Sequence, residues 1–249
     1  MTYVLIHGGG SSGRFWQRLV PLLDRRALAV DLPGRAGKPA DLPTLSIEDE
    51  VESVAEDVEA ADLGGPLVIV AHSSGGLVVP GLVERLEASG ARVAHIVLNA
   101  ALIPPEGGAG IDCMKPKHRD GLVFAVQAAR ESGSSITLPG APDDPEQYRT
   151  VYGGDPLDDA ALAFLTDPAV SVPDTVHHYF QPVFWSKAAH VPVTYVLTER
   201  DRPVAPAMQE EMIGRLPAAP AVVRMSTGHV PAVTAPAELA AILNAIAAG

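Results

Sequence analysis

Short apolar runs alternate with amphipathic segments along most of this chain. Six of the runs predict strands, and most are rich in Val and Ile without period-two alternation. That composition is typical of strands buried on both faces of a sheet. The six predicted strands are residues 3–6, 28–30, 67–70, 94–98, 193–197 and 221–225.

Between these strands, apolar residues recur at helical spacing. From Ile47 to Val58 they form one stripe, and the acidic residues of the same segment form the opposite, solvated face. Ser46 and Asp49 have the spacing of a capping pair at its start. The predicted helices are residues 14–24, 47–61, 74–88, 205–216 and 237–248. Strands that alternate with helices predict an α/β fold with a doubly wound, mostly parallel sheet.

The segment from residue 103 to residue 190 breaks this alternation. It has no clear strand pattern, is rich in Gly and Pro, and shows helical spacing only near residues 122–131 and 157–165. Its many aromatic side chains argue against a disordered linker, because disordered segments are poor in aromatics. We therefore interpret residues 103–190 as a mainly helical cap inserted into a core formed by residues 1–102 and 191–249.

Composition and charge narrow the classes of partner. The 249 residues carry a formal net charge of −12, so no basic face is available for the backbone of a nucleic acid. Cys113 is the single cysteine, which excludes a disulfide within the chain and a four-thiolate zinc site. We recognise no apolar run of membrane-spanning length and no cleavable secretory signal, and we therefore expect a cytoplasmic protein that does not enter a membrane.

The candidate chemistry starts in the stretch LVIVAHSSGG, which contains the third predicted strand. A buried strand followed by small-x-Ser-x-Gly and a helix is the pattern of a nucleophile elbow, whose tight turn requires small residues two before and two after the nucleophile. Around Ser73 these positions hold Ala71 and Gly75, whereas around Ser74 one of them holds the bulky His72. Ser73 is therefore the predicted nucleophile. Ser74 would open the helix and turn its backbone N–H toward a developing oxyanion.

A serine nucleophile needs a base to accept its proton, and the base needs a carboxylate to orient it. His229 follows the last predicted strand and precedes the last predicted helix, so we expect it at the same sheet edge as Ser73. Two acids, Glu199 and Asp201, end the strand before it. We predict Asp201 as the partner, because it lies deeper in the loop, and Glu199 is the alternative.

The loop HGGGSSG after the first predicted strand is the expected source of a second oxyanion donor. Its glycines allow backbone N–H groups to approach a substrate closely. The rival interpretation is a phosphate-binding loop. The loop lacks both the G-x-G-x-x-G spacing and the Gly-Lys-Ser/Thr ending of such loops, which disfavours the rival.

Together these motifs resemble the α/β-hydrolase superfamily, and within it the small enzymes that include plant-type methylesterases and hydroxynitrile lyases. The resemblance covers most of the predicted core, residues 3–100 and 191–248. It is carried by the segments YVLIHGGGSSGRFW, DLPG, AHSSGG, YVLTERDRPV and GHVPAVTAPAELA. It implies Ser73 as nucleophile, Asp201 as acid and His229 as base, and it implies an oxyanion hole formed by the backbone N–H groups of Gly9 and Ser74.

The predicted function is hydrolysis of a small-molecule carboxylic ester or lactone through an acyl-enzyme, without metal or organic cofactor. A lyase, an acyltransferase or a cyclase on the same fold is the alternative, because a cap that excludes water could divert an acyl-enzyme to another acceptor. In the lyases the resemblance implies a lysine directly after the histidine. Val230 holds that position here, which disfavours cyanohydrin cleavage. The sequence gives no indication of the oligomeric state.

The concentration of aromatic residues in the predicted cap suggests where a substrate would bind. We expect the cap to form an apolar pocket over Ser73, with Tyr152, Phe180 and Trp185 in its wall. The competing interpretation is that these rings pack only against one another.

Overall fold

The computed structural model of the protein describes residues 1–35, 37–140, 142, 144–151, 154–155 and 157–248. The strands in this part of the chain are β1 (Thr2–Ile6), β2 (Ala27–Ala29), β3 (Leu67–His72), β4 (Val93–Asn99), β5 (Thr137–Leu138), β6 (Asp174–Thr175), β7 (Val193–Thr198) and β8 (Ala221–Met225). All six predicted strands are present, with small shifts of their ends.

The α-helices of the same ranges are α1 (Ile47–Ala60), α2 (Val79–Ala88), α3 (Pro116–Glu131), α4 (Pro145–Val151), α5 (Asp159–Leu165), α6 (Pro206–Ile213), α7 (Pro231–Thr234) and α8 (Pro236–Ala248). Short 3₁₀ helices lie at Gly13–Trp16, Val20–Leu22, Ser73–Leu77, Gly110–Cys113, His177–Phe180 and Trp185–Ala188. Within the described ranges, none of the helices is both long enough and apolar enough to cross a membrane.

Six strands form one sheet in the order β2-β1-β3-β4-β7-β8, and every neighbouring pair in it is parallel. Successive side chains of β1 point into two different hydrophobic clusters. Val4 and Ile6 belong to the cluster that contains α1, α2 and α6, and Tyr3 and Leu5 belong to the cluster that contains α8. Helices therefore cover both faces of the sheet, which confirms the predicted doubly wound α/β class.

The predicted helix at residues 14–24 is wrong. The chain forms two 3₁₀ turns instead, Gly13–Trp16 and Val20–Leu22, and Pro21 lies at the start of the second. Proline lacks a backbone N–H and disfavours helical geometry in the residue before it, so a continuous α-helix cannot pass through this point. By contrast, the predicted capping box at the start of α1 is confirmed, because the Ser46 and Asp49 side chains both bond the opposite backbone N–H.

Residues 103–190, which we call the insert, lie between β4 and β7 in the sequence. The insert contains α3, α4 and α5, and also a two-stranded antiparallel sheet of β5 and β6 that the sequence pattern did not predict. Strands of two residues each are too short to show an alternating pattern. Buried residues of the insert join both core clusters, as Leu162 does on one face and Trp185 on the other.

Candidate active site

Three polar side chains meet at the carboxyl edge of the sheet, in the segments that follow β3, β7 and β8. His229 Nε2 lies 3.1 Å from Ser73 Oγ, and His229 Nδ1 lies 2.7 Å from Asp201 Oδ2. An ionised carboxylate only accepts hydrogen bonds, so Nδ1 carries the proton and donates to Asp201. In that tautomer the unprotonated Nε2 is the atom that faces the Ser73 hydroxyl and can accept its proton. The three residues proposed from the sequence as nucleophile, base and acid are thus brought together in one hydrogen-bonded chain.

The Asp201 carboxylate is held on both oxygens. Thr198 Oγ1 donates to Oδ2 at 2.8 Å, and the backbone N–H of Val204 donates to Oδ1 at 2.8 Å. Asp201 is only 3% exposed. Glu199, the alternative acid, has a side chain that is 42% exposed and lies 4.0 Å from Arg224. Of the two acids, only Asp201 is positioned to orient His229.

Ser73 adopts a backbone conformation that side chains rarely take. Its φ is +51°, in the left-handed region, and it lies directly after β3 at the start of the 3₁₀ helix Ser73–Leu77. Such conformations cost about 1–3 kcal/mol and persist where the surroundings enforce them. Here a Cβ at Gly75 would lie 2.6 Å from the carbonyl oxygen of His7. Glycine is thus required at position 75 by the end of β1, which packs against the turn.

The glycine loop after β1 faces the same turn. A Cβ at Gly8 would lie 2.8 Å from the Cβ of Ser73, so the loop approaches the serine as closely as backbone atoms allow. The backbone N–H of Gly9 has no hydrogen-bond acceptor within the described ranges. Ser74 is buried near the start of a 3₁₀ helix, where N–H groups lack partners within the helix. A Cβ at Gly9 would lie 3.2 Å from Ser74 Oγ, so the two residues predicted from the resemblance are neighbours beside Ser73, and their role stays a prediction.

His72 contacts His229 through a hydrogen bond and through its ring, a role that the sequence did not indicate. Its Nε2–H donates to the His229 carbonyl oxygen at 2.8 Å, and the two rings lie 4.7 Å apart between centroids. Its other face stacks on Phe15 at 4.8 Å. Burial, with the nearby His229, holds the pKa of His72 well below its ordinary 6.5. His72 is therefore a neutral, fixed hydrogen-bond donor.

A second group of buried charges holds the glycine loop. Arg35 Nη2 lies 2.6 Å from Asp174 Oδ1, with both side chains fully buried, and Asp174 Oδ2 accepts the backbone N–H of Gly10 at 2.8 Å. His178 Nδ1 lies 3.1 Å from Glu50 Oε1 in the same region. We call Arg35, Glu50, Asp174 and His178 the buried ion cluster. It joins α1 and the glycine loop to the insert.

The charges of this cluster shift each other's titration. Burial is the largest single influence on Asp174 and opposes its ionisation, but the Arg35 guanidinium, His178 and the Gly10 N–H together outweigh it and lower the pKa of the carboxyl. Burial likewise is the largest influence on His178 and opposes its protonation, but the Glu50 and Asp174 carboxylates together outweigh it and raise the pKa of the ring. The sequence did not single out these residues. Their pairing depends on contacts between distant segments, and no local spacing indicates it.

Two cavities meet at Ser73. The first lobe, of about 350 Å³, is lined by the glycine loop, His72, Ser73 and His229, and by parts of the insert. The second lobe, of about 510 Å³, is lined by Ser73 and by residues of α3 and the segments around it. Within the described ranges, no group of three or more His, Cys, Asp or Glu residues is arranged to hold a metal ion.

Two of the three predicted wall residues, Phe180 and Trp185, are not among the residues that line these lobes. Trp185 is 1% exposed and belongs to the core cluster beside α2, and Phe180 lines a separate cavity. The prediction is therefore wrong for both residues. The insert folds back onto the sheet, so the Trp185 ring packs into the core and the Phe180 ring faces another cavity. Tyr152 lies outside the described residues. Tyr179, which the sequence did not single out, borders both lobes.

Comparison with known proteins adds a family and a set of relatives. The sequence profile described as the alpha/beta hydrolase family matches residues 3–242. Esterase PIR7B of Oryza sativa subsp. japonica is 27% identical over 268 residues, which cover 98% of this chain and 95% of that protein. The structure of a pyrethroid hydrolase from Sphingobium faniae JZ-2 superposes with a TM-score of 0.78 at 21% identity, and the match covers 100% of this chain and 98% of that chain. The methylesterase MES16 from Arabidopsis gives a TM-score of 0.70 at 18% identity, with coverage of 100% and 99%. At these identities the two structures demonstrate a shared fold alone.

Proposed function

The chain belongs to the alpha/beta hydrolase family, and from this premise we propose that it is a serine esterase that cleaves a carboxylic ester or lactone. The observation that carries the proposal is the hydrogen-bonded chain from Ser73 through His229 to Asp201. It lies beside a glycine loop and opens into a cavity. The name of the rice relative, an esterase, agrees with this activity.

In the first half-reaction Ser73 Oγ attacks the ester carbonyl carbon while its proton passes to His229 Nε2. The 3.1 Å separation of these two atoms lies within the range for general-base catalysis. The carbonyl oxygen becomes an oxyanion that accepts hydrogen bonds from the N–H groups of Gly9 and Ser74. Asp201 stabilises the imidazolium without taking its proton.

The tetrahedral intermediate then breaks its bond to the alcohol oxygen. His229 Nε2 returns the proton to this leaving oxygen, the alcohol departs, and an acyl-Ser73 ester remains. In the second half-reaction water attacks the acyl carbon and gives a proton to His229. Collapse of this intermediate releases the carboxylic acid and restores the Ser73 hydroxyl.

The test is removal of the nucleophile with a matched neighbour as control. Ser73→Ala should lower kcat for p-nitrophenyl ester hydrolysis by about 10⁴-fold or more, by analogy with other triad knockouts. Ser74→Ala keeps the backbone N–H and should retain most of the activity.

Labelling identifies the reacting atom directly. A serine-directed phosphonate should modify Ser73 alone, as shown by peptide mapping. An adduct on Ser74, or full ester hydrolysis by Ser73→Ala, would contradict the proposal. Adding an alcohol acceptor to the assay separates hydrolysis from acyl transfer, because a transferase would give the new ester in place of the free acid.

A further inference from the structure

The two lobes that meet at Ser73 differ in which active-site groups reach them. We propose that the second lobe binds the acyl group of the substrate and that the first lobe binds its alcohol group. This proposal rests on the proposed esterase function and deepens it. It assigns the substrate class as esters of a bulky, apolar carboxylic acid with a more compact alcohol.

The position of His229 decides the assignment. His229 must give a proton to the leaving alcohol oxygen, so the alcohol leaves on the side of the imidazole. His229 lines the first lobe and is not among the residues that line the second. The oxyanion points at the Gly9 and Ser74 N–H groups, and Gly9 also lines only the first lobe. The acyl chain is the remaining substituent of the tetrahedral carbon, and the second lobe is the remaining space.

The surfaces of the two lobes agree with this division. Leu102, Met114, Leu122 and Ala125 line the second lobe, which has a volume of about 510 Å³. Such a surface gains free energy by burying apolar groups of a ligand. The first lobe is smaller, about 350 Å³, and the three glycines of the loop, Gly8 to Gly10, line it together with apolar side chains such as Leu165 and Val170. A compact group suits the first lobe, and a large apolar group suits the second.

Helix α3 presents one face to the second lobe. His118, Leu122 and Ala125 are spaced i, i+4 and i+7 on this helix, and all three line the lobe. Leu138, Tyr179 and Pro203 border both lobes, whereas no residue of α3 is among those that line the first. A side chain enlarged on this face of α3 would therefore fill the second lobe without reaching the first.

The experiment uses two series of esters with the full chain. In one series the alcohol is p-nitrophenol and the acyl chain grows from acetate to dodecanoate. In the other the acyl group is butanoate and the alcohol grows from methanol to hexanol. We expect kcat/KM to rise with acyl length over several methylenes and to gain much less from longer alcohols.

Ala125→Phe should narrow the second lobe. It should lower kcat/KM for octanoate by about 10-fold or more, the size of effect that a methylene or two has in an apolar pocket, and leave acetate nearly unchanged. The alcohol series should keep its shape. Ala128→Phe, on the same helix but exposed and lining neither lobe, is the matched control. Gly121→Leu is a second variant of the lobe wall, since a Cβ there meets no atom within 4 Å.

The outcomes separate the two proposals. If the native protein hydrolyses no ester in either series, the proposed function fails. If it hydrolyses esters but Ala125→Phe and Gly121→Leu alter only the alcohol series, or lower both series equally, the lobe assignment is overturned and the esterase function stands. A loss confined to long acyl chains in both lobe variants, and absent in Ala128→Phe, supports the assignment.

Discussion

The cavity around Ser73 has two sides that are built differently. On the core side, Ser73, Asp201 and His229 each follow closely on a strand of the sheet, and short hydrogen bonds hold them. On the insert side, the walls come from separate segments, such as Leu138 in β5 and Leu165 in α5. The sheet therefore positions the three residues that we propose to react, and the packing of the insert shapes the cavity beside them.

The two sides are joined through the buried ion cluster. Asp174 of the insert pairs with Arg35 and accepts the N–H of Gly10 in the glycine loop. The Tyr179 hydroxyl, also from the insert, is hydrogen-bonded to the Ser74 side chain. A change in the insert can thus reach the oxyanion donors without touching Ser73, Asp201 or His229.

The largest effect on turnover should come from the core side. Asp201→Asn removes the acceptor that keeps the proton on His229 Nδ1, so it should lower kcat by about 10⁴-fold with little change in the melting temperature. Steady-state kinetics measures kcat, and thermal denaturation followed by circular dichroism measures the melting temperature. Glu199→Gln is the control and should have almost no effect. Greater damage from Glu199→Gln would reverse the assignment of the acid.

Changes in the buried ion cluster, which joins the two sides, should affect the free energy of unfolding more than kcat. Asp174→Asn leaves the Arg35 guanidinium buried without a charged partner, which should lower the free energy of unfolding by about 3–5 kcal/mol. Urea denaturation measures it. Glu52→Gln breaks the exposed pair with Arg85, which solvent screens, and should lower the free energy of unfolding far less. Equal costs for the two variants would show that the buried pair does not join insert and core.

Two buried histidines, His7 of the core and His178 of the insert, should change the free energy of unfolding with pH in opposite directions. Burial, with the Arg35 charge, lowers the pKa of His7 to about 4, so the unfolded chain binds a proton below pH 6.5 that the folded core resists. Because of His7, the free energy of unfolding therefore falls as the pH drops from 6.5 toward 4, by up to about 1.4 kcal/mol per pH unit. The pKa of His178 is raised, so its contribution is complete at low pH and declines as the pH rises through the folded pKa.

Urea denaturation between pH 5 and pH 8 measures these opposing slopes. His7→Gln should flatten the acid limb, and His178→Gln should flatten the limb above the ordinary histidine pKa. His190→Gln, at an exposed position, is the control and should change neither limb. If His7→Gln left the acid limb unchanged, burial of the neutral His7 would not be its cause.

The smallest effect should come from the insert side of the oxyanion hole. Tyr179→Phe loses only the hydroxyl contact with Ser74, worth about 0.5–1.5 kcal/mol, so kcat should fall by about 2- to 10-fold. Combining it with Ser74→Ala should add little further loss, because both changes remove the same hydrogen bond. A fall of about 100-fold or more would mean that Tyr179 itself contacts the oxyanion, and the two sides would then share the chemistry.

The sequence by itself determined the sheet and indicated which residues would meet at its edge. Buried strands show as Val- and Ile-rich runs, and each of Ser73, Asp201 and His229 follows such a run. The carboxyl ends of parallel strands share one edge, so three residues distant in the chain could be expected to meet there. The preference for Asp201 over Glu199 also came from its place in the loop, and the N–H of Val204 and the Thr198 hydroxyl supply the physical reason.

Only the tertiary structure decided the insert and the buried charges. Whether an aromatic ring such as Trp185 faces a cavity or the core depends on how the insert folds back onto the sheet. The spacing of residues along the chain does not predict this. The pairing of Arg35 with Asp174 has the same origin, since a buried charge is stable only beside a partner that the chain brings from elsewhere. Hydrophobic periodicity is a local signal, whereas the direction of a ring and the partner of a buried charge are set by contacts between distant residues.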